Sequence, residues 1–295
     1  MCCETSNDIF WDLDFFKNVT STLIGAFIGT ATTVLIYFMT IRSEKKKERK
    51  NREETRRNKL FYTKTLLESF DRKIDDTIES LEGQISSFEE DIIPFHLPVF
   101  SINESSTLLN DLLKSEETFE LHNKYFGTDK IKHYNNLRNE LAFYEIQLAQ
   151  IEDMNSRAKD YDFQRKKDVS EKVDQIMEDL IKIYDMDGIS DKDKDEFFSF
   201  SVDFGNRLKD KSDVRFYFEE YLIPLMEMLL KHSKIKQIGG LISQVKRAMI
   251  IYQHIEGNNL AHLNNLKSIL LKINNLKGQL KKDSKHIISE EFVNT

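Results

Sequence analysis

Helix-breaking residues are scarce in this sequence, which holds only 3 Pro and 10 Gly among 295 residues. Their share of about 4% is well below the roughly 12% of an average protein. This scarcity argues against a β-rich or disordered chain and predicts helix almost throughout. Hydrophobic residues make up 40% and charged residues 32%, which suffices for a core but does not fit a transporter with many membrane spans. We therefore expect an all-α protein.

Cysteines and catalytic motifs are also scarce or missing. The two cysteines, Cys2 and Cys3, are adjacent, which excludes a disulfide framework or a cysteine-based zinc site in the body of the chain. The seven histidines show neither H-E-x-x-H nor an i, i+4 pairing with another His or Cys. The sequence contains no phosphate-loop, dinucleotide-binding or nucleophile-elbow motif. We expect no metal, no cofactor and no catalytic activity.

A short acidic segment, Asp185-Met-Asp187-Gly188, resembles part of a calcium-binding loop. In that register the first ligand position would hold Ile183 and the bidentate position would hold Lys194, and neither side chain binds calcium. A turn followed by a helix that begins near Ser190 is the better interpretation.

Charge is absent over the 24 residues from Asn18 to Ile41, which lie between Lys17 and Arg42. A helix of that length spans a hydrocarbon core of roughly 30 Å. A cleaved signal peptide is the alternative, but the preceding residues are acidic and the apolar run is too long for one. We predict a transmembrane helix at 18–41.

Basic residues are concentrated directly after this segment and are rare before it. Ten Lys and Arg stand against four Glu from Arg42 to Lys59, whereas residues 1–17 hold one Lys and four acidic residues. The positive-inside rule therefore predicts a single-pass protein of the inner (plasma) membrane, with its N-terminus outside and its C-terminal domain cytoplasmic. The basic cluster would also attract anionic membrane lipid, although a topology signal alone is the better interpretation.

Small and hydroxyl-bearing residues gather on one half of the predicted span. On a helical wheel large apolar residues occupy the other half, a segregation that lipid alone does not favour. Gly25 and Gly29 form a G-x-x-x-G motif, which lets two helices approach closely. We predict a homo-oligomer formed through this helix, with a self-association or pore face made of Ser21, Thr22, Gly25, Gly29, Thr30, Thr32 and Thr33.

The apolar pattern continues beyond the span at helical spacing from Leu67 to Ile92, so we expect the helix to extend as a stalk before Pro94 breaks it. One helical region should follow up to Gly127, then a long helix from Ile131 and a buried helix within 213–232. We expect Gly239-Gly240 and Gly257 to end helices, and a final helix to carry a short coiled-coil-like seam. The predicted organisation is a tail at 1–17, the span at 18–41, a basic segment and stalk at 42–93, a proline-containing loop at 94–104, a cytoplasmic multi-helix bundle at 105–285 and a tail at 286–295.

The C-terminal quarter is strongly basic in a chain whose net charge is −7, because residues 231–285 hold eleven Lys and Arg and two acidic residues. This region can bind an anion such as a nucleotide or oligonucleotide, or pair with acidic helices of the same chain, of a neighbouring chain or of a protein partner. Pairing is the safer interpretation. Asn-Asn-Leu also occurs three times here, and its amides suit either a base edge or a solvated face. The candidate anionic-ligand patch is Lys231, Lys234, Lys236, Lys246, Arg247, Lys267 and Lys272.

Three short segments of the body of the chain are Thr118-Phe-Glu-Leu-His-Asn123, Tyr217-Phe-Glu-Glu-Tyr221 and Gln253-His-Ile-Glu256. They resemble landmarks of the phage abortive-infection proteins of bacteria, and the resemblance covers about 116–266. It implies a membrane-anchored helical protein that halts an infected cell, and no catalytic residue carries over. Those proteins tend to have two spans near the N-terminus, whereas one is predicted here.

Two functions are compatible with this sequence. The first is a membrane effector that oligomerises through its span and permeabilises the membrane when its cytoplasmic domain receives a ligand or partner signal. The second is a non-catalytic tether or scaffold that holds cytoplasmic partners at the membrane. The segregation of small and hydroxyl-bearing residues on one face of the span and the basic C-terminal patch favour the effector.

Overall fold

The computed structural model describes residues 12–97, 104–208 and 213–289. These residues form helices joined by short turns, and no strand occurs among them, which confirms the predicted all-α class for the described part of the chain. The α-helices are α1 (Asp12–Glu90), α2 (Glu104–Lys114), α3 (Glu116–Phe126), α4 (Ile131–Ile181), α5 (Asp191–Arg207), α6 (Val214–Tyr217), α7 (Ile223–Lys231) and α8 (Lys236–Ile288).

Helix α1 contains the long apolar segment that the sequence predicts. Its most apolar window has a mean hydropathy of 1.8 and is not buried by other parts of the protein. Large side chains such as Leu23, Phe27 and Phe38 are 63–77% exposed. By length and composition, this is one helix that can cross a membrane.

The chain divides into two compact units, with a boundary between Tyr62 and Thr63 that lies within α1. In the first unit the structure describes α1 up to Tyr62, and in the second it describes the residues from Thr63 to Ser289. The segment predicted as a stalk thus contributes residues to both units. The division into tail, span, stalk and cytoplasmic bundle stays a prediction, and parts of it at 1–11, 98–103 and 290–295 lie outside the described residues.

One hydrophobic core of the second unit contains the periodic apolar residues of α1. Leu67, Phe70, Ile74, Leu81 and Phe88 are at most 1% exposed, and they pack with the first half of α4 and the second half of α8. Their spacing of three and four residues puts them on one side of the helix. The apolar face that the spacing predicts is therefore a buried face of α1.

A second core joins the C-terminal half of α4, the first half of α8 and the helices between them. The segment from α6 through a π-helical turn at Phe218–Leu222 to α7 supplies much of it, as its apolar content predicts. Tyr217, Tyr221 and Leu225 are fully buried there, and the ring of Tyr221 lies 4.4 Å from that of Phe204. Aromatic packing of this kind adds stability beyond area burial.

Helices α4 and α8 run antiparallel along both cores. Asn136 near the start of α4 pairs with Asp283 near the end of α8, and Asp179 near the end of α4 pairs with Gln244 near the start of α8. The expected helix ends at Gly239-Gly240 and Gly257 are wrong, because α8 runs through all three glycines. Each glycine costs a helix only about 1 kcal/mol, which the buried apolar residues of α8 outweigh.

Turns between the helices depend on glycine and on capping side chains. Gly127 and Gly188 have φ values of 82° and 87°, which favour glycine, and Gly188 lies in the turn expected at the calcium-like segment. Ser190 begins α5 as predicted, with its hydroxyl accepting from the Asp193 N–H. The single helical region expected before Gly127 is instead two helices, because Ser115 caps a new one through the Thr118 N–H.

Candidate functional site

The predicted self-association face lies in the first unit, and all of its residues are exposed. Each of its four threonines donates a hydrogen bond of 2.7–2.8 Å to the carbonyl four residues earlier, as Thr33 does to Gly29. Ser21 donates similarly to Asn18 at 3.2 Å. An added Cβ at Gly25 or Gly29 would meet no atom within 4 Å. The hydroxyls are therefore satisfied within the helix, the glycines leave room for a neighbour, and self-association stays a prediction.

The basic C-terminal patch divides into paired and unpaired residues. Lys267 forms an ion pair of 2.5 Å with Glu89, and nearby Lys277 pairs with Asp75, both on α1. Pairing with an acidic helix of the same chain, one of the two alternatives, thus occurs at these positions. The other patch residues are exposed and form no ion pair within the described ranges: Lys231, Lys234, Lys236, Lys246, Arg247 and Lys272.

Buried amide side chains fix the end of α1 and the segment after it. The Nε2 of Gln84 donates to the His96 carbonyl at 2.8 Å and to Asn155 Oδ1 on α4 at 3.1 Å. The Nδ2 of Asn259 on α8 donates to the Ile92 carbonyl at 2.9 Å and to Asp162 Oδ1 at 3.2 Å. Because Gln84 and Asn259 are at most 4% exposed, these bonds are made away from water and their loss is costly.

Two cations complete this arrangement, which we call the α1 clamp (Gln84, Asp91, Asn155, Asp162, Lys166, Arg215 and Asn259). Lys166 lies 2.7 Å from Asp162 and donates to the Ile93 carbonyl at 2.9 Å. Arg215 holds both oxygens of Asp91, at 3.0 and 2.5 Å. Burial opposes ionisation of Asp91, but bonds from Arg215 and the Ile93 N–H outweigh it and lower the Asp91 pKa. The clamp ties the end of α1 to α4, α6 and α8.

A groove of about 580 Å³ opens between α4 and α8 beside the clamp. We call it the α4–α8 groove, and its polar lining includes Arg157, Tyr161, Asn258, His262, Asn265 and Lys272. The ring of His262 is 3% exposed, stacks on Phe95 at 5.5 Å, and has no hydrogen-bond partner for either nitrogen in the described parts of the chain. Burial lowers the pKa of His262 to about 4, so its imidazole is neutral at pH 7.

A cluster of histidines and carboxyls joins α3, α4 and α8. The Nε2 atoms of His122 and His286 are 2.6 Å apart, and His133 Nδ1 lies 2.5 Å from Asp283 Oδ1. Burial, followed by the neighbouring histidines, lowers the pKa of His122 to about 4. Burial, followed by the bond to Asp283 and its charge, raises the pKa of Glu140 to about 8. At pH 7 the protonated Glu140 therefore donates to the Asp283 carboxylate.

This cluster does not provide a recognisable metal centre. The two His Nε2 atoms are too close to be separate ligands of one ion without moving, since each would lie about 2 Å from a metal. No group of three or more His, Cys, Asp or Glu residues suited to a metal ion occurs within residues 12–97, 104–208 and 213–289. The arrangement is a largely buried hydrogen-bonded network in which burial keeps the His122 imidazole neutral at pH 7.

Sequence reasoning missed most of these polar groups. The histidine pair and the two Asn259 bonds join residues 97 to 167 positions apart, so no local spacing indicates them. One signal was present in the Asn-Asn-Leu repeats, whose first copy supplies Asn258 to the α4–α8 groove and Asn259 to the clamp. No protein-family model, no curated protein and no solved structure matches this chain.

Proposed function

We propose that this protein is a single-pass membrane effector that oligomerises through the apolar segment of α1. Its second unit forms a cytoplasmic helical bundle, and a ligand or partner signal received there leads to permeabilisation of the membrane. The setting is the inner (plasma) membrane in an antiphage or abortive-infection system, as the resemblance of three sequence segments implies.

The observation that carries this proposal is the exposed apolar surface of α1. Side chains such as Leu23 and Phe27 would contact water over more than half of their surface in a protein without a lipid partner. Lipid removes this cost, at about 25 cal/mol for each Å² of apolar surface that leaves water. The ten basic residues that follow at 42–59 support a cytoplasmic position for the second unit.

Continuity of α1 supports an effector, because the helix that carries the apolar segment also carries core residues of the second unit, such as Leu67 and Phe88. The α1 clamp then fixes the end of the same helix through buried bonds. A ligand that alters the packing around the clamp would therefore act on the helix that enters the membrane. This proposed coupling requires that α1 and the helices packed against it adopt two alternative arrangements.

A membrane tether is the second candidate, and the hydroxyl bonds of the span favour it. Thr22, Thr30 and Thr32 already donate to backbone carbonyls of their own helix, so they need neither water nor a partner helix in lipid. A tether would hold cytoplasmic partners at the membrane without changing its permeability. The two functions differ in one measurable property, the leak of small solutes.

The test compares dye uptake and membrane depolarisation in bacterial cells that express matched variants. The full chain should cause both, and a chain that starts at Arg42 should cause neither. A third variant replaces 18–41 with a Leu/Ala span of the same length, which preserves anchoring but removes the sorted face. We expect it to reach the membrane without dye uptake. A full chain that reaches the membrane and never alters permeability would favour the tether.

Self-association of the span has its own test, because Gly25 and Gly29 are open in the single chain. Gly25→Leu or Gly29→Leu should lower crosslinking in membranes, since a large side chain keeps two backbones apart. Ala31→Leu is the matched control on the opposite face of the helix and should leave crosslinking unchanged. Equal crosslinking in all three variants would contradict the prediction that this face mediates self-association.

A further inference from the structure

We propose that the α4–α8 groove is a binding site for a mononucleotide-sized ligand, an organic anion that carries a phosphate and a heteroaromatic ring. The inference deepens the proposed function by naming the ligand class of its signal, and it rests on that function only for the consequence of binding. The binding itself concerns residues of the second unit alone.

The size and position of the groove suit such a ligand. Its volume of about 580 Å³ lies within the range of roughly 300 to 1,000 Å³ typical of small-molecule sites. The lining comes from two long antiparallel helices, so its side chains have fixed backbone positions. Apolar groups such as Met154 and Ile269 also line the groove, which leaves surface for a ring as well as for charge.

Charge in the groove favours an anion. Lys272 has no ion-pair partner among the residues that the structure describes, and Arg157 is 78% exposed. The single acidic residue of the lining, Asp153, pairs with Arg157 across one turn of α4 at 2.9 Å. An exposed pair of this kind contributes little stability, so the guanidinium is free to turn toward a phosphate. Arginine and lysine together are common ligands of phosphate groups.

Uncharged polar groups and an aromatic ring in the groove favour a ligand whose remaining part resembles a nucleobase. Asn258 and Asn265 each offer an amide donor and an amide acceptor, the combination that reads the edge of a nucleobase. Tyr161 supplies an aromatic ring at the rim, with the Arg165 guanidinium 5.0 Å from its centroid. Stacking on a tyrosine is available to every nucleobase.

His262 is a second feature of the groove, independent of its charge, that indicates a ligand. Both ring nitrogens are shielded from water and lack a hydrogen-bond partner in the described structure, although buried polar atoms are normally bonded. The ring also contacts Phe95 and Phe88, at centroid distances of 5.5 and 5.6 Å, next to the segment that the α1 clamp holds. A ligand that enters the groove and displaces the side chains over these nitrogens supplies the missing partner, and it contacts a residue that packs against the end of α1.

The test measures binding of AMP, adenosine and inorganic phosphate to the full chain in detergent micelles, by equilibrium dialysis. We expect saturable binding of AMP, at least tenfold weaker binding of adenosine and of phosphate, and weaker AMP binding at higher salt. Lys272→Gln and Arg157→Gln should each weaken AMP binding about tenfold, as expected for loss of a charge-assisted hydrogen bond. Lys282→Gln is the matched control on α8, because Lys282 is exposed, does not line the groove and is not part of the candidate anionic-ligand patch.

Tyr161→Leu tests the ring contact separately, since it should weaken AMP binding several-fold and leave phosphate binding unchanged. His262→Leu, which keeps the packing on Phe95, should weaken AMP binding without lowering thermal stability. The proposal is overturned if AMP shows no saturable binding at millimolar concentration, if phosphate binds as tightly as AMP, or if Lys282→Gln weakens binding as much as Lys272→Gln. Groove-dependent AMP binding without any change in membrane permeability would uphold the site and contradict the effector function.

Discussion

Replacing Glu140 with Gln should change how the stability of the protein depends on pH. Glu140 is 7% exposed, and its pKa rises from an ordinary 4.5 to about 8 in the folded protein. Between these values the folded state holds a proton that the unfolded state has released. The free energy of unfolding therefore falls as pH rises, by up to about 1.4 kcal/mol for each pH unit.

The magnitude follows from integrating this difference from pH 6.5 to 8.5. Glu140 alone should lower the free energy of unfolding by about 2 kcal/mol over that interval, with the loss levelling off above pH 8. His122 and His262 act in the opposite direction, because folding lowers their pKa values from 6.5 to about 4. Near pH 6.5 the unfolded state still binds protons that the folded state has released, so the free energy of unfolding rises with pH. Together they return about 0.8 kcal/mol above pH 6.5, so the combined loss from these three groups is about 1 kcal/mol.

Glu140→Gln keeps a donor for Asp283 but has no proton to lose. Its stability should therefore rise slightly from pH 6.5 to 8.5, so that the two proteins diverge by about 2 kcal/mol. Urea unfolding of the full chain in detergent micelles, followed by circular dichroism across this pH range, measures the difference. Parallel pH profiles for the two proteins, or a wild-type stability that rises through pH 8, would refute the assignment of a neutral Glu140.

Three further predictions concern the second unit. Gly240→Ala and Gly257→Ala should each raise the free energy of unfolding by about 0.5–1 kcal/mol, because a Cβ at either position meets no atom within 4 Å. Destabilisation by either substitution would contradict the open space beside these glycines. Asn259→Ala should cost at least about 2 kcal/mol, since it removes the buried amide donor of the Ile92 carbonyl and of Asp162 Oδ1. Substitution of the exposed Asn264 by Ala is the near-neutral control in the same denaturation assay. Lys246→Glu with Arg247→Glu should change stability by less than about 0.5 kcal/mol, and a larger loss in thermal unfolding would indicate pairing with acidic helices.

Helical periodicity and local capping could be read from the sequence alone. The apolar residues from Leu67 to Phe88 recur at the spacing of one helix face, and that face is buried. Ser190 begins a helix because its hydroxyl and the Asp193 N–H are three residues apart, a relation that local sequence contains. These features depend on interactions within one helix or one turn.

Tertiary packing determines the features that the sequence alone predicted wrongly or did not indicate. Gly239-Gly240 and Gly257 look like helix ends by propensity, yet the buried apolar face of α8 holds them in one helix. The α1 clamp and the contact of His122 with His286 join distant positions on different helices. The α4–α8 groove likewise requires knowing that α4 and α8 are antiparallel neighbours, although Lys272 and the Asn-Asn-Leu repeats already marked one of its sides.

Coupling between the second unit and the membrane is tested most directly by inserting Gly-Gly-Pro after Asn58 and measuring dye uptake in cells. Proline and glycine break the hydrogen-bonded path of α1 between the apolar segment and the core residues that begin near Leu67. An Ala-Ala-Ala insertion at the same place is a control for added length that preserves helix. We expect the Gly-Gly-Pro variant to fold and reach the membrane but to lose dye uptake. Dye uptake at the unmodified level in that variant would contradict the effector mechanism.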